Sequence, residues 1–171
     1  MKRLDKDGIK LITHHEGVRL KAYQDSGGVW TIGYGHTSTA KPGMKITQAQ
    51  AVRLLEKDIE RFEDCVTSNV KVPLTQAQYN ALVSFAFNRG CNGFRRSRLL
   101  ELVNARKYDE AASVWLTTAV TAGGKRLRGL EKRRRDEVAM FRSTDDEEGG
   151  LGKSLAKWFI GGAVKAASGR V

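Results

Sequence analysis

The sequence has no run of 18 or more apolar residues, so it offers no helix able to cross a bilayer. It has only two cysteines, Cys65 and Cys91, too few for a disulfide framework and in no metal-ligand spacing. They read as two partly buried thiols. A single disulfide formed after export is the alternative, and only a distance decides between them. The three histidines and the acidic residues form no cluster with metal spacing, and no cofactor is implied. The opening stretch, residues 1–17, is basic and lacks an apolar core of signal-peptide length. The chain is therefore expected to be made in a host cytoplasm and, if its target lies outside, to be let out by something else. Acid is in deficit: 30 Lys and Arg face 19 Asp and Glu, for a net charge of +11. Such a chain is drawn to a polyanion, whether nucleic acid, an anionic membrane or an anionic cell wall; a plain solvated surface is the alternative. No nucleic-acid motif is present, so no specific nucleic-acid partner is expected.

What is present fits one compact unit. A chain of 171 residues with 40% hydrophobic side chains can bury a core without staples. Residues 5–15 read as a short helix, capped by Asp5 or Asp7 and ended by Gly17. Residues 18–36 carry a turn cluster from Asp25 to Gly28, then the β-branched and aromatic run Val29-Trp30-Thr31-Ile32, which reads as a small glycine-rich hairpin or sheet. A long helix is expected from Thr47 to about Ser68, with Leu54, Leu55, Ile59 and Phe62 at helical spacing. Thr75 with Gln78 is a capping box for a helix that Gly90 and Gly93 should end. Shorter helices are expected over 97–104, 108–115 and 130–141, with Gly123-Gly124 as a loop. The expected organisation is a small α+β catalytic lobe (1–46), a connecting helix (47–69), a helical lobe (70–144), an acidic and glycine linker (145–150) and a basic tail (151–171).

Three polar residues of the first lobe invite a chemical reading. Glu16 ends the first helix, Asp25 lies in the turn nine residues on, and Thr31 lies on the hairpin six residues further. Glycoside cleavage needs one protonated carboxyl to donate to the leaving oxygen and a second that attacks the sugar or activates a water. A carboxyl held against apolar groups keeps its proton more readily, a condition the apolar face beside Glu16 would meet. A hydroxyl at Thr31 would help Asp25 orient a water, the inverting arrangement, with carboxyl groups roughly 6.5–9.5 Å apart. By spacing alone, Glu16 and Asp25 read equally as surface charges.

The run His15-Glu16-Gly17 through Asp25, followed by Gly28-Val29-Trp30-Thr31-Ile32-Gly33-Tyr34-Gly35-His36-Thr37, closely resembles the catalytic segment of the phage-type lysozymes, glycoside hydrolase family 24. Val72 to Gln76, Ala81 to Asn88, Gly93-Phe94 with Ser97, and Gly129-Leu130-x-x-Arg133-Arg134-x-x-Glu137 extend the resemblance over about residues 5–142. It implies a lysozyme-like α+β fold and hydrolysis of the β-1,4 bond between N-acetylmuramic acid and N-acetylglucosamine of peptidoglycan, in the service of host-cell lysis. It makes Glu16 the general acid and gives the water to Asp25 and Thr31. Gly35, Phe87 and Ser97 fall at matching cleft positions that would contact the sugar strand. The expected place of action is the cell wall in the periplasm, and a monomer is expected. A lytic transglycosylase and a non-enzymatic membrane-disrupting protein are the competing readings.

Several residues carry plainer expectations. His36 is expected to close a hydrogen bond or ion pair that steadies the hairpin. Of His14 and His15, one should pack and one be solvated. Phe85 and Phe87 have a strong claim on the core, and for Phe94, beside Gly93, core and cleft are equal alternatives. The basic residues from Lys125 to Arg135 read as surface ion pairs with Glu131, Asp136 and Glu137. In the tail, Leu151, Leu155, Trp158, Phe159 and Ile160 share one arc of a helical wheel, and Lys153, Lys157 and Lys165 share the other. Such a helix is expected to lie in an anionic membrane interface, an outer-membrane or lipopolysaccharide surface; docking on the body, or disorder, is the alternative.

Overall fold

The computed structural model describes residues 2–25 and 27–143. The linker and tail expected at 145–150 and 151–171, with the proposed membrane contacts Leu151, Lys153, Leu155, Lys157, Trp158 and Phe159, lie outside the described residues. The elements run α1 (Lys6–Glu16), β1 (Arg19–Gln24), β2 (Trp30–Gly33), α2 (Gln48–Asn69), α3 (Gln76–Arg95), α4 (Arg98–Asn104), α5 (Tyr108–Trp115), β3 (Thr121–Ala122), β4 (Lys125–Arg126) and α6 (Arg128–Arg142). The expected α+β class is the one observed.

Asp5 caps α1 with one carboxylate oxygen, which accepts from the backbone N–H of Asp7 and Gly8. The same oxygen accepts from the Asn80 side chain at 2.7 Å, so the cap also docks α1 on α3. At Gly8 a Cβ would meet the Leu4 side chain at 2.6 Å and the Asn80 side chain of α3 at 3.0 Å, so the missing side chain gives room for that close approach. α1 packs against α3 and α6. Gly17 then turns the chain with φ of 66° into β1.

β1 and β2 form an antiparallel hairpin in which Tyr23 faces Thr31 and Gln24 faces Trp30. Residues 44–46 line the other edge of β1, through bonds between Ala22 N–H and Met44 O and between Ile46 N–H and Leu20 O. α2 opens with a capping box between Thr47 and Gln50. Ala51, Leu55, Ile59, Phe62 and Val66, three or four residues apart, turn one buried stripe to the core.

The capping box of Thr75 and Gln78 starts α3 as expected. Its end differs. Gly90, at φ 72° and ψ 155°, interrupts the helix, but the chain resumes helical geometry through Gly93 to Arg95. A second difference is the disulfide between Cys65 of α2 and Cys91 of α3, with Cα atoms 6.0 Å apart, which replaces the two thiols expected from the sequence. The kink at Gly90 lies immediately before Cys91, where the bridge ties the helices together. A third is the short hairpin β3–β4 around Gly123-Gly124, where a loop was expected.

The core of the helical part is aromatic. Phe85, Phe94, Trp115 and Phe141 are buried, and Trp115 meets Phe85 and Phe141 edge-on at 5.5 and 5.3 Å between ring centres.

Candidate active site

Glu16 occupies the last position of α1, where the helix reaches the start of the hairpin. Its carboxylate meets the Arg133 guanidinium of α6 in a short ion pair. The environment expected for Glu16 was an apolar wall; the structure puts a guanidinium against it. Arg133 is itself held. Its Nε donates to Glu137 Oε1 at 3.2 Å, and its Nη2 donates to the Ser84 carbonyl at 3.2 Å.

Glu137 is fully buried, and four side chains satisfy it. Oε1 accepts from Ser84 Oγ at 2.9 Å, from Arg133 and from Arg134 Nη2 at 3.1 Å; Oε2 accepts from Trp115 Nε1 at 2.9 Å. Arg134 also donates to Asn88 at 2.8 Å and lies over the Phe85 ring. Burial pulls its guanidinium below the usual arginine range, against the pull of Glu137. Arg133 and Arg134 are thus interior residues, at 3% and 0% exposure, and not members of a surface run. Within the same run, Arg126 does pair at the surface with Glu131, at 2.7 Å, and Lys132 meets Asp136 at 3.3 Å.

Asp25 is held differently. Its Oδ1 accepts from the backbone N–H of Gly27 at 2.8 Å and of Val29 at 2.9 Å. The backbone closes the same turn, with Asp25 N–H donating to Val29 O. The side chain is exposed. Thr31 is buried, and its hydroxyl donates to the Val29 carbonyl at 3.1 Å. One peptide neighbour therefore touches both residues: Val29 gives its N–H to Asp25 and its carbonyl to Thr31. With its proton committed there, the Thr31 oxygen keeps lone pairs to accept from a water.

His36 is structural, as expected. It is 3% exposed; Nδ1 meets Asp58 of α2 at 2.8 Å and Nε2 meets Thr39 Oγ1 at 2.8 Å. Its backbone pairs with Ile32 in both directions, so the ring pins β2 to α2. Tyr34, whose oxygen accepts from Gln48, adds a second tie.

His15 packs and His14 is exposed, also as expected. His14 falls below the usual histidine range because of burial first, then Lys132.

The three residues matched to the cleft differ in what they offer. Gly35 has φ of 91°, a conformation that suits glycine, and nothing stands near its absent Cβ. Phe87 is half-buried with its ring 5.2 Å from Phe62. Ser97 caps α4; its hydroxyl donates to Phe94 O at 2.6 Å and accepts from Leu100 N–H at 3.2 Å. Arg133 is the partner of Glu16 that the sequence alone does not point to. It stands in the quoted Gly129-to-Glu137 motif, but nothing local in that motif says that it reaches Glu16. A pocket lined by Arg3, Leu4, Ile9, Glu56, Ile59, Glu60 and Glu63 shares no residue with this site.

A family model described as phage lysozyme matches residues 13–137. An endolysin of Acyrthosiphon pisum secondary endosymbiont phage 1 is 43% identical over 143 residues, covering 82% of this chain and 98% of the relative. The endolysin of Salmonella phage P22 is 40% identical over 148 residues, covering 84% of this chain and 100% of the relative. Among solved structures, the muramidase domain of SpmX from Asticaccaulis excentricus superposes with a TM-score of 0.79 at 37% identity, covering 84% of this chain and 100% of that domain.

Proposed function

Since the chain belongs to the phage lysozyme family, we propose that this site hydrolyses the β-1,4 bond between N-acetylmuramic acid and N-acetylglucosamine in peptidoglycan, in the manner of an endolysin. The protein is a glycoside hydrolase of the lysozyme type, and its polymer is the cell wall.

Glu16 gives its proton to the glycosidic oxygen as the bond to the leaving sugar breaks. Asp25 takes a proton from a water that attacks the opposite face of the ring, and the Thr31 hydroxyl accepts from that water's other hydrogen. Atoms balance: the water's oxygen ends on the anomeric carbon, one proton on Asp25 and the Glu16 proton on the leaving group. The product is inverted. The observation that carries the reading is the joint hold of Val29 on Asp25 and Thr31, set beside the separate anchoring of Glu16 by Arg133. Two carboxyls fixed on independent supports suit two different proton-transfer roles.

Gly35 and Phe87 line the path of the sugar strand in this reading, Gly35 by close backbone approach and Phe87 by its ring. Ser97, with its hydroxyl engaged at the cap, borders that path. The wall in the periplasm is the place of action, reached after release. The net charge of +11 supports attraction to an anionic wall.

Glu16→Gln tests the acid step. Lysis of purified walls should fall by on the order of 10²–10⁴, the range for a lost general acid. Wild-type lysis by this variant would remove the proposed mechanism. Mass spectrometry of the fragments should find reducing-end muramic acid; anhydro ends would replace the water step with the transglycosylase route.

A further inference from the structure

Where the last turn of α1 meets α6, the fold assembles a cluster that the catalytic groups do not use. His14, His15 and Asp136 each present one ligand atom, and these atoms all lie within 4.8 Å of one another. Two polar atoms here are buried without a hydrogen bond, His15 Nε2 and Asp136 Oδ1. His15 Nε2 is 2.9 Å from Asp136 Oδ2 but lies off the hydrogen-bond direction. The two side chains are 7% and 6% exposed. Buried polar atoms nearly always find a partner, and one that does not calls for an ion or a water.

A cation already occupies the space. The Lys132 ammonium lies within hydrogen-bonding reach of His14 Nε2 and 3.3 Å from Asp136 Oδ2. An ammonium only donates, so the lone pair of His14 Nε2 must face it, as the lone pair of a metal ligand must. The lysine side chain is 49% exposed and sits on a flexible stem, so it can withdraw into solvent.

We propose that His14, His15 and Asp136 form a binding site for one divalent cation of the Zn²⁺, Co²⁺ or Ni²⁺ class, which enters by displacing the Lys132 ammonium. Two imidazoles and a carboxylate make a three-ligand set for such ions, with a water completing the tetrahedron. Mg²⁺ and Ca²⁺ prefer shells built of oxygen and are poor occupants. Metal bonds of about 2.0–2.2 Å require the ligand atoms to draw together, which rotation of the exposed His14 ring allows. Bound there, the ion clips α1 to α6 one residue before Glu16. The third histidine, His36, is engaged with Asp58 and Thr39.

The test is titration of the chelator-treated full chain with Co²⁺, followed by visible absorption, with Zn²⁺ calorimetry in parallel. One equivalent should bind and give the intense bands of four-coordinate cobalt, and Mg²⁺ in excess should not remove it. His14→Ala, a change at an exposed position, should weaken binding tenfold or more while leaving metal-free lysis intact. Lys132→Met removes the competing cation and should tighten binding. Absence of saturable Co²⁺ binding in both the wild type and Lys132→Met overturns the site. Equal binding by His14→Ala overturns it too, by placing the ion elsewhere. Unchanged affinity in Lys132→Met overturns the displacement.

Discussion

The two carboxylates of the site are supported in opposite ways. Asp25 is held by backbone N–H groups two and four residues away, in a turn that needs nothing from the rest of the molecule. Glu16 is held by an arginine 117 residues away, which is held in turn by a fully buried Glu137. One support is local and exposed; the other is long-range and interior. The difference teaches that the same chemical group can be coupled to the stability of the fold or kept apart from it. Changes around Asp25 should cost activity alone. Changes around Glu16 should cost activity and stability together, because the residues that aim it are core residues.

The largest effect should come from setting Glu137→Gln against Asp25→Asn. Removing the buried charge leaves Arg134 inside without its counter-ion and Arg133 with Glu16 alone, a loss of about 3–5 kcal/mol. Thermal unfolding should show the midpoint falling sharply, with lysis falling alongside. Asp25→Asn should keep a near wild-type midpoint while lysis drops by on the order of 10²–10⁴. A Glu137→Gln protein that melts normally would break the contrast, since Glu16 would then be aimed by something other than this network.

Most of the helices and the hairpin were legible because their signals act within one turn of chain. Asp5 and the Thr75–Gln78 pair do their work on backbone groups two or three residues away, and Gly17 does its work through its own backbone angle. The turn that holds Asp25 and the strand position of Thr31 were legible for the same reason. What the sequence hid depends on residues that meet only in the fold. The run from Lys132 to Asp136 reads as surface ion pairs until Glu137, Ser84 and Asn88 engage two of its arginines inside the fold. Arg133 could not be assigned to Glu16 without knowing that α1 crosses α6. The bridge from Cys65 to Cys91 depends on the approach of α2 to α3, and β3–β4, with two residues in each strand, is too short to show a period.

The disulfide extends the comparison to a second long-range support. It closes a loop of 26 residues between α2 and α3, and loss of such a constraint costs about 2–4 kcal/mol. Melting in the presence of a reductant should lower the midpoint by several degrees, roughly 2–4 °C for each kcal/mol lost. The double variant Cys65→Ser with Cys91→Ser should match the reduced protein and ignore reductant. Because such bridges persist only in oxidising surroundings, a wild-type midpoint insensitive to complete reduction would show that α2 and α3 are held by packing alone.

The smallest effect expected is also the sharpest on the local side. Thr31→Val keeps the branched shape that suits a buried strand position and removes only the hydroxyl. In the fold that hydroxyl makes one hydrogen bond, to Val29 O, so stability should change by about 1 kcal/mol. If the oxygen also accepts from the attacking water, lysis should fall about tenfold or more, since each 1.4 kcal/mol lost from the transition state is tenfold in rate. The two readouts separate the bond seen in the fold from the water contact proposed for the same atom. Unchanged lysis with a lowered midpoint would make Thr31 a clasp for the Asp25 turn and leave the water to Asp25 alone. Lowered lysis with a midpoint held within that margin puts the hydroxyl on the water, and confines the cost of the change to the chemistry, as a locally supported site requires.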